Sequence, residues 1–200
     1  MPSLTRDQIL RAAIRIADDE GPEAITLRRI SAALGVHVTS LYNHVPTREA
    51  ISDGIVEVLL AEADLPTHPV PWEDWVRHFF AAMGEIPTTH AGAFHVLQHR
   101  PVQGSRATAS FEIAVAAFVQ AGFSTLDAYA AVKTVVFLAA AVGMERSKTA
   151  RGEMLETRMD DLPVDGFPLV RSVAVTARPE DVWPFALETV IAGLRAQLAR

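Results

Sequence analysis

Cysteine is absent from the 200 residues, which excludes disulfides and thiolate metal sites. Positive charge is scarce too: 18 Lys and Arg against 24 Asp and Glu leave a net charge of −6. Any phosphate-facing surface must therefore be local, because the chain as a whole repels phosphate. No glycine-rich phosphate loop, nucleophile elbow or zinc-protease histidine pair occurs, and the scattered His and Glu form no constellation, so an enzyme is not expected. The first residues are polar and helix-capping rather than an apolar core behind positive charge. No charge-free apolar run reaches the roughly 18 residues that a spanning helix needs. With 50% hydrophobic and 21% charged residues, the expectation is a globular cytoplasmic protein with no membrane partner and no cofactor.

What the chain does contain is concentrated between Thr26 and Val45. Leu27, Ile30 and Leu34 recur at spacings of three and four and make one inward stripe, with Thr26 as a hydroxyl N-cap. Ser31 is small where two helices would approach. Gly35 stands where the chain must leave the helix through a positive φ. Val36 and Leu41 then anchor a second short helix. This is the layout of a helix-turn-helix reader, whose second helix enters the major groove. The alternative is a helical hairpin with a polar outer face and no DNA.

The residues left for the outer face suit base and phosphate contacts. His37, Val38, Thr39, Ser40, Tyr42, Asn43 and His44 supply hydroxyls, an amide, imidazoles and a methyl-bearing surface for a thymine methyl. Residues 1–62 hold six arginines against nine acids. From Thr26 through Arg48, however, Arg28, Arg29 and Arg48 stand with no Asp or Glu. Thr26, Arg28 and Arg48 join the candidate DNA face on that account.

Flanking helices complete the head. Thr5-Arg-Asp-Gln8 matches a capping box, Ile9, Ala13, Ile16 and Ala17 form an apolar face, and Gly21-Pro22 ends the helix. Pro46-Thr47 breaks and recaps the chain before a helix through Ile51, Ile55, Val58 and Leu59 to about Ala63. Taken together, Gly35-Val-x-x-x-Ser-Leu-Tyr42-x-His44-Val, preceded by Thr26-Leu-Arg-Arg-Ile and followed by Arg48, resembles the tetracycline-repressor (TetR) family of bacterial transcription regulators. Gly122-Phe-Ser, the apolar helix ending in Gly143-Met-Glu145, and Phe185-Ala-Leu-Glu188-Thr-Val-Ile-Ala-Gly193-Leu194 extend the likeness to that family's C-terminal domain. The expected fold is all-α, with a helix-turn-helix head and connecting helix over 1–63 and a larger helical domain over 64–200.

Proline punctuates the larger part. Leu65-Pro-Thr-His-Pro-Val-Pro71 forbids a regular helix. A helix is predicted from Trp72 to Ile86, ended by Pro87, with Trp75, Val76, Phe79, Phe80 and Met83 inward. A short one follows from Gly92 to Arg100, closed by Pro101. The next runs from Ser105 to Gln120, carrying Phe111, Val115, Phe118 and Val119, and Gly122 terminates it. Ser124-x-x-Asp127 caps a long helix reaching Glu145 or beyond, and Gly143 in it admits a close neighbour. Arg146 to Asp165 reads as an exposed charged connection, Pro168 to Thr176 as a short helix, and Pro184 to Leu198 as the last one.

Two expectations concern function. The long helix is apolar nearly all round and so demands cover on most sides. Nothing else in the sequence evidently covers Val132 and Val136 together with the final stripe of Leu187, Val190, Ile191, Leu194 and Leu198. A homodimer joined through a four-helix interface follows, as the resemblance also implies. The resemblance further implies a small-molecule effector in a pocket assigned to Phe79, Met83, His95, Val96, His99 and Arg100, with Phe111, Glu112, Val115, Phe137, Ala141 and Glu145. Against the tetracycline-binding pattern, Val96, Phe79 and Phe137 replace polar or metal-ligating groups, whereas Arg100-Pro101 and Glu145 match. An apolar or aromatic effector is therefore expected rather than magnesium–tetracycline. His95 and His99 have metal-gripping spacing, but no carboxylate near in sequence supports them, and no metal is expected. The leading reading is a repressor on a double-stranded DNA operator. A helical adaptor whose head binds protein is its rival.

Overall fold

The computed structural model describes residues 4–63, 65–99, 105–150, 166–176 and 179–199, and its regular elements there are all helices. Helix α1, Arg6–Glu20, opens on the expected capping box. Thr5 Oγ1 accepts from the Gln8 N–H at 3.2 Å, and Gln8 Oε1 accepts from the Thr5 N–H at 3.0 Å. Leu10, Ala12 and Ile14 are buried beside the predicted Ile9, Ala13, Ile16 and Ala17, so more than one side of α1 is covered. Gly21 ends it at φ 91°, and a 3-10 turn, Pro22–Ala24, follows. Helices α2, Leu27–Leu34, and α3, Val38–Tyr42, form the hairpin, and α4, Arg48–Glu62, leads away under its Thr47 cap.

The body begins with α5, Trp72–Thr89, and α6, Ala91–His99. Pro87 does not end α5; it lies inside the last turn. Its missing N–H leaves the Met83 carbonyl, four residues back, without its usual donor. The backbone of Gly143 packs against that carbonyl, so closely that an added Cβ would stand 2.7 Å from the oxygen. Helix α7 is Ser105–Ala121. The chain leaves it at Gly122, φ 113°, with the Phe123 N–H reaching back to the Phe118 carbonyl. Ser124 Oγ accepts from the Asp127 N–H at the head of α8, Thr125–Ala150.

Two further boundaries differ from expectation. Helix α8 continues past Glu145, and Ser147 is buried with its hydroxyl donating to the Ala91 carbonyl, so residues 146–150 are not a loose connection. Residues 151–165 lie outside the described residues. After α9, Pro168–Thr176, the last helix α10 is Pro179–Leu198 and not Pro184–Leu198. Pro179-Glu-Asp is a helix start with proline at its first position and acids in its first turn, and it carries the chain through Pro184.

Packing centres on α8. Helices α5, α6, α7 and α10 all lie against it, and its Val/Ala surface is spent on them: Ala128, Val132, Val135 and Ala139 are buried. By length and composition α8 could span a bilayer from Thr125 to Lys148. Its burial against four helices is the alternative use of the same apolar surface. Helix α10 is held by Val190, Ile191 and Leu194, buried within the chain, and by two ion pairs to α5, Arg77–Glu188 and Arg195–Glu73. Hydrogen bonds from the arginines hold the Glu188 and Glu73 carboxyls below their ordinary range. Their contribution is present at neutral pH and fades as acidification protonates them. These are exposed pairs, and water screens them strongly. A buried Ile or Leu contributes about 1.5–3 kcal/mol, so the apolar stripe sets where α10 docks.

Candidate functional site

The reader is built from its glycine outward. Gly35 takes the left-handed conformation, φ 64° and ψ 33°. The Val36 N–H then donates to the Ser31 carbonyl at 3.0 Å and the Gly35 N–H to the Ala32 carbonyl at 3.3 Å, which closes α2. Ser31, buried between the helices, donates its hydroxyl to the Arg28 carbonyl. Ile30, Leu41 and Val45 have no exposed surface and fix α3 against α1 and α2. Thr26 caps α2 by accepting from the Arg29 N–H at 3.1 Å. Thr26→Ala should lower unfolding free energy by about 1 kcal/mol in a urea titration, since a cap's orphaned donor loses its partner.

With Leu41 inward, the rest of α3 faces out. His37, Thr39, Ser40, Tyr42 and Asn43 are exposed, and Val38 and His44 half-buried. Most of the predicted α3 side chains are thus open to solvent. The arginines separate by role. Arg29 is clasped by Glu20, with Nε 2.9 Å from Oε1, and Glu20 is held below the ordinary carboxylate range by that contact. Arg48 stands loosely 3.7 Å from the exposed Glu23. Arg28 is exposed, and no carboxylate of the described residues holds it. It is the arginine best available to a phosphate.

The assigned effector residues are spread between the core and the surface of the single chain. Met83 and Val96 are buried in the core, and Phe79 stacks on Trp75 at 5.1 Å. Phe111 and Val115 are half-buried, Phe111 meeting Tyr129 edge-on at 5.8 Å. Phe137 is 63% exposed beneath the Lys133 ammonium, and Glu112, Ala141 and Glu145 are exposed as well. The resemblance assigned Phe137 to the pocket, whereas in the single chain Val135 and Ala139 are the buried residues beside it on α8. Arg100 lies outside the described residues. The His95 and His99 rings stack at 4.1 Å, but His99 Nδ1 donates to the His95 carbonyl of its own helix. Among the described residues no His, Asp or Glu cluster fits a metal. A cleft of about 340 Å³ opens elsewhere, between the end of α4 and α5 beside His90, and includes none of these residues.

The predicted interface residues are redistributed too. Val132 and Ile191 have no exposed surface and Val190 and Leu194 almost none, all four within a single chain. Val136 and Leu187 are half-buried, and only Leu198 is exposed. Helices α5 and α10 supply the cover for α8 that a second chain was expected to provide.

Residues 9–53, from α1 through the reader into α4, match the family model of bacterial regulatory proteins, tetR family. The whole fold matches the apo structure of ActR from Streptomyces coelicolor, at a TM-score of 0.80 and 25% identity over 100% of this chain and 98% of that one. Residues 9–53 belong to the tetR family. An HTH-type transcriptional regulator of Saccharopolyspora erythraea is 34% identical over 131 residues, 65% of this chain; the chain covers about half of that relative's length, 56%. The class C tetracycline repressor protein of Escherichia coli is 26% identical over 97% of this chain and 92% of its own.

The head that carries this match is joined to the body by residues that the sequence reading missed. Asp18, at the end of α1, accepts from the Gly92 and Ala93 N–H groups at 3.0 and 2.9 Å, capping α6 from the head. His90 Nδ1 also donates to Asp18, at 2.8 Å, and His90 Nε2 stands 3.4 Å from Glu62, which pairs with Arg11. Gly92 lies directly on the α1 backbone: an added Cβ would sit 1.8 Å from the Ala17 carbonyl oxygen. The only signal was a glycine opening α6; nothing local marks Asp18, 74 positions from its partner.

Proposed function

We propose that the chain is a homodimeric, effector-responsive transcription repressor of the cytoplasm. The observation that carries this is the outward face of α3, whose polar side chains are held rigidly by Leu41 and Ile30, together with the exposed Arg28, which no carboxylate of the described residues holds. One short helix makes few base contacts, so two heads on a twofold axis would read a roughly palindromic operator with half-sites about 34 Å apart. Residues 1–63 form the reading unit and 64–200 the sensing and pairing unit. Repression outranks activation because occupying a promoter needs no further contact surface.

The pairing surface consists of side chains still exposed in the single chain. On α8 these are Leu126, Phe137 and Met144; on α10, Val182 and Phe185. Leu198 lies at their edge. On α10 the exposed Ala192, Gly193 and Ala196 leave the backbone open, and a Cβ on Gly193 would meet nothing within 4 Å. Exposed apolar side chains next to such a flat stretch suit helix-on-helix packing against a second copy.

For the effector, ActR has been solved in complex with (S)-DNPA, which supports a small-molecule input here. The body offers aromatic rings and, among the described residues, one unsatisfied buried side-chain group: Trp75 Nε1 is buried without an acceptor. An apolar or aromatic molecule with an acceptor oxygen would satisfy it. A ligand preferring a head spacing that mismatches the operator weakens DNA binding by that preference.

Arg28→Ala and Tyr42→Ala should each weaken operator binding by about 1–3 kcal/mol, the worth of one good contact. A mobility-shift titration with a duplex selected from genomic fragments measures it. Unchanged affinity in both variants would remove α3 from the interface. Binding that survives high salt would favour the adaptor reading, because phosphate contacts weaken steeply with salt.

A further inference from the structure

The cleft beside His90 lies between two units whose relative placement matters, and it has a one-sided chemistry. Its floor is apolar: Leu59 of α4 and Ala81, Ala82 and Ile86 of α5. At about 340 Å³ it falls within the size range of small-molecule pockets. Its polar rim consists of Glu62, Glu85, His78, Thr89 and His90, with no lysine or arginine.

The hydrogen bonds already made at this rim decide what remains. His78 Nδ1 donates to the Asp74 carbonyl at 2.7 Å, which leaves Nε2 as an acceptor in the neutral ring. Thr89 donates its hydroxyl back to the Glu85 and Ile86 carbonyls, so only its lone pairs are left to offer. Glu85 is exposed, and its carboxylate meets no cation of the described residues. Glu62 is held by Arg11 from the head side, and His90 is held by Asp18. The free valences of the rim are therefore almost all acceptors above an apolar floor. Anions and neutral apolar molecules leave them unsatisfied; a donor-rich cation satisfies them.

We propose that this cleft is a binding site for a small organic cation, an ammonium or amidinium on an apolar body. Its apolar part lies on Ala81, Ala82 and Ile86, and its charged end meets Glu85 and His78 Nε2. Because Glu62 and His90 belong both to the cleft and to the Asp18 joint, occupancy would bear on how the head sits. That consequence rests on the regulator reading above; the binding itself does not.

The test is calorimetric titration of the full chain, without DNA, using 2-phenylethylammonium, its neutral analogue 2-phenylethanol and the anion 3-phenylpropionate. The ammonium probe should saturate at one per chain, bind about tenfold more tightly than the alcohol, as a charge-assisted contact implies, and leave the anion unbound. Glu85→Gln, an isosteric change at an exposed position, should remove most of that preference. Ala81→Trp should abolish binding by filling the cleft, with circular dichroism reporting the fold; should that variant not fold, Glu85→Gln carries the test. Absence of saturable binding overturns the proposal, as does equal binding of amine and alcohol, or a preference unchanged in Glu85→Gln. Since no operator is present, failure here leaves the DNA reading untouched, and loss of DNA binding elsewhere leaves this site untouched.

Discussion

Phe185→Asp should yield a folded monomer that has lost at least about a hundredfold in operator affinity, because two heads no longer share one attachment. Phe185 is 74% exposed on α10, so the chain does not need its ring to fold. In the proposed dimer the ring is buried against a second copy, and twofold symmetry would set two aspartates in one apolar surface. Sedimentation velocity reads the mass, and a DNA titration reads the affinity. The contrast is Val132→Asp. Val132 has no exposed surface within one chain, so a carboxylate there should prevent folding rather than pairing. A Phe185→Asp variant that stays dimeric would return the interface to some other face.

Gly92→Ala should lower the unfolding free energy by about 3 kcal/mol, the upper range for overpacking. No side-chain rotation relieves the clash, because the atoms 1.8 and 2.4 Å from the new Cβ are the Ala17 carbonyl oxygen and carbon. Either α6 or α1 must move, and the Asp18 bonds to the Gly92 and Ala93 N–H groups stretch with that movement. Both changes are made in the Phe185→Asp monomer, which takes the proposed pairing surface out of play, and Gly193→Ala is the control. It is also a helical glycine, but its Cβ meets nothing within 4 Å, so the change should be neutral or stabilising by about 0.5–1 kcal/mol. Urea unfolding of the two variants separates packing from helix propensity. Equal stabilities would mean that α1 and α6 do not touch as described.

The head was legible because its signals are local. Thr5, Thr26 and Thr47 each cap within three residues, and Gly35 announces its own left-handed turn. The outer face of α3 followed by subtraction once Leu41 was placed inside. In the body, type of element was legible and partners were not. An all-round apolar helix states that it needs cover, but not whether α5, α10 or a second chain provides it. Val132 and Ile191 were therefore assigned to a dimer, although they lie inside one chain. Phe137 was assigned by resemblance to a family pattern, and a position carried over in that way does not say how far the side chain is covered: it is 63% exposed in the single chain. Pro87 and Pro184 were read as breaks, yet a proline near a helix end removes one hydrogen bond without stopping the turn. The joint of Asp18, His90 and Gly92 depends wholly on long-range contact and left almost no trace in the sequence.

The most direct measurement is fluorescence anisotropy of a labelled operator duplex, titrated with the wild-type chain and the Arg28→Ala/Tyr42→Ala double variant across a salt series. The account predicts two chains per duplex, an affinity whose logarithm falls linearly with the logarithm of salt, and a shallower slope with much weaker binding in the double variant. A wild-type chain that leaves duplex DNA unbound at low salt, or a double variant that binds as the wild type does, would contradict it.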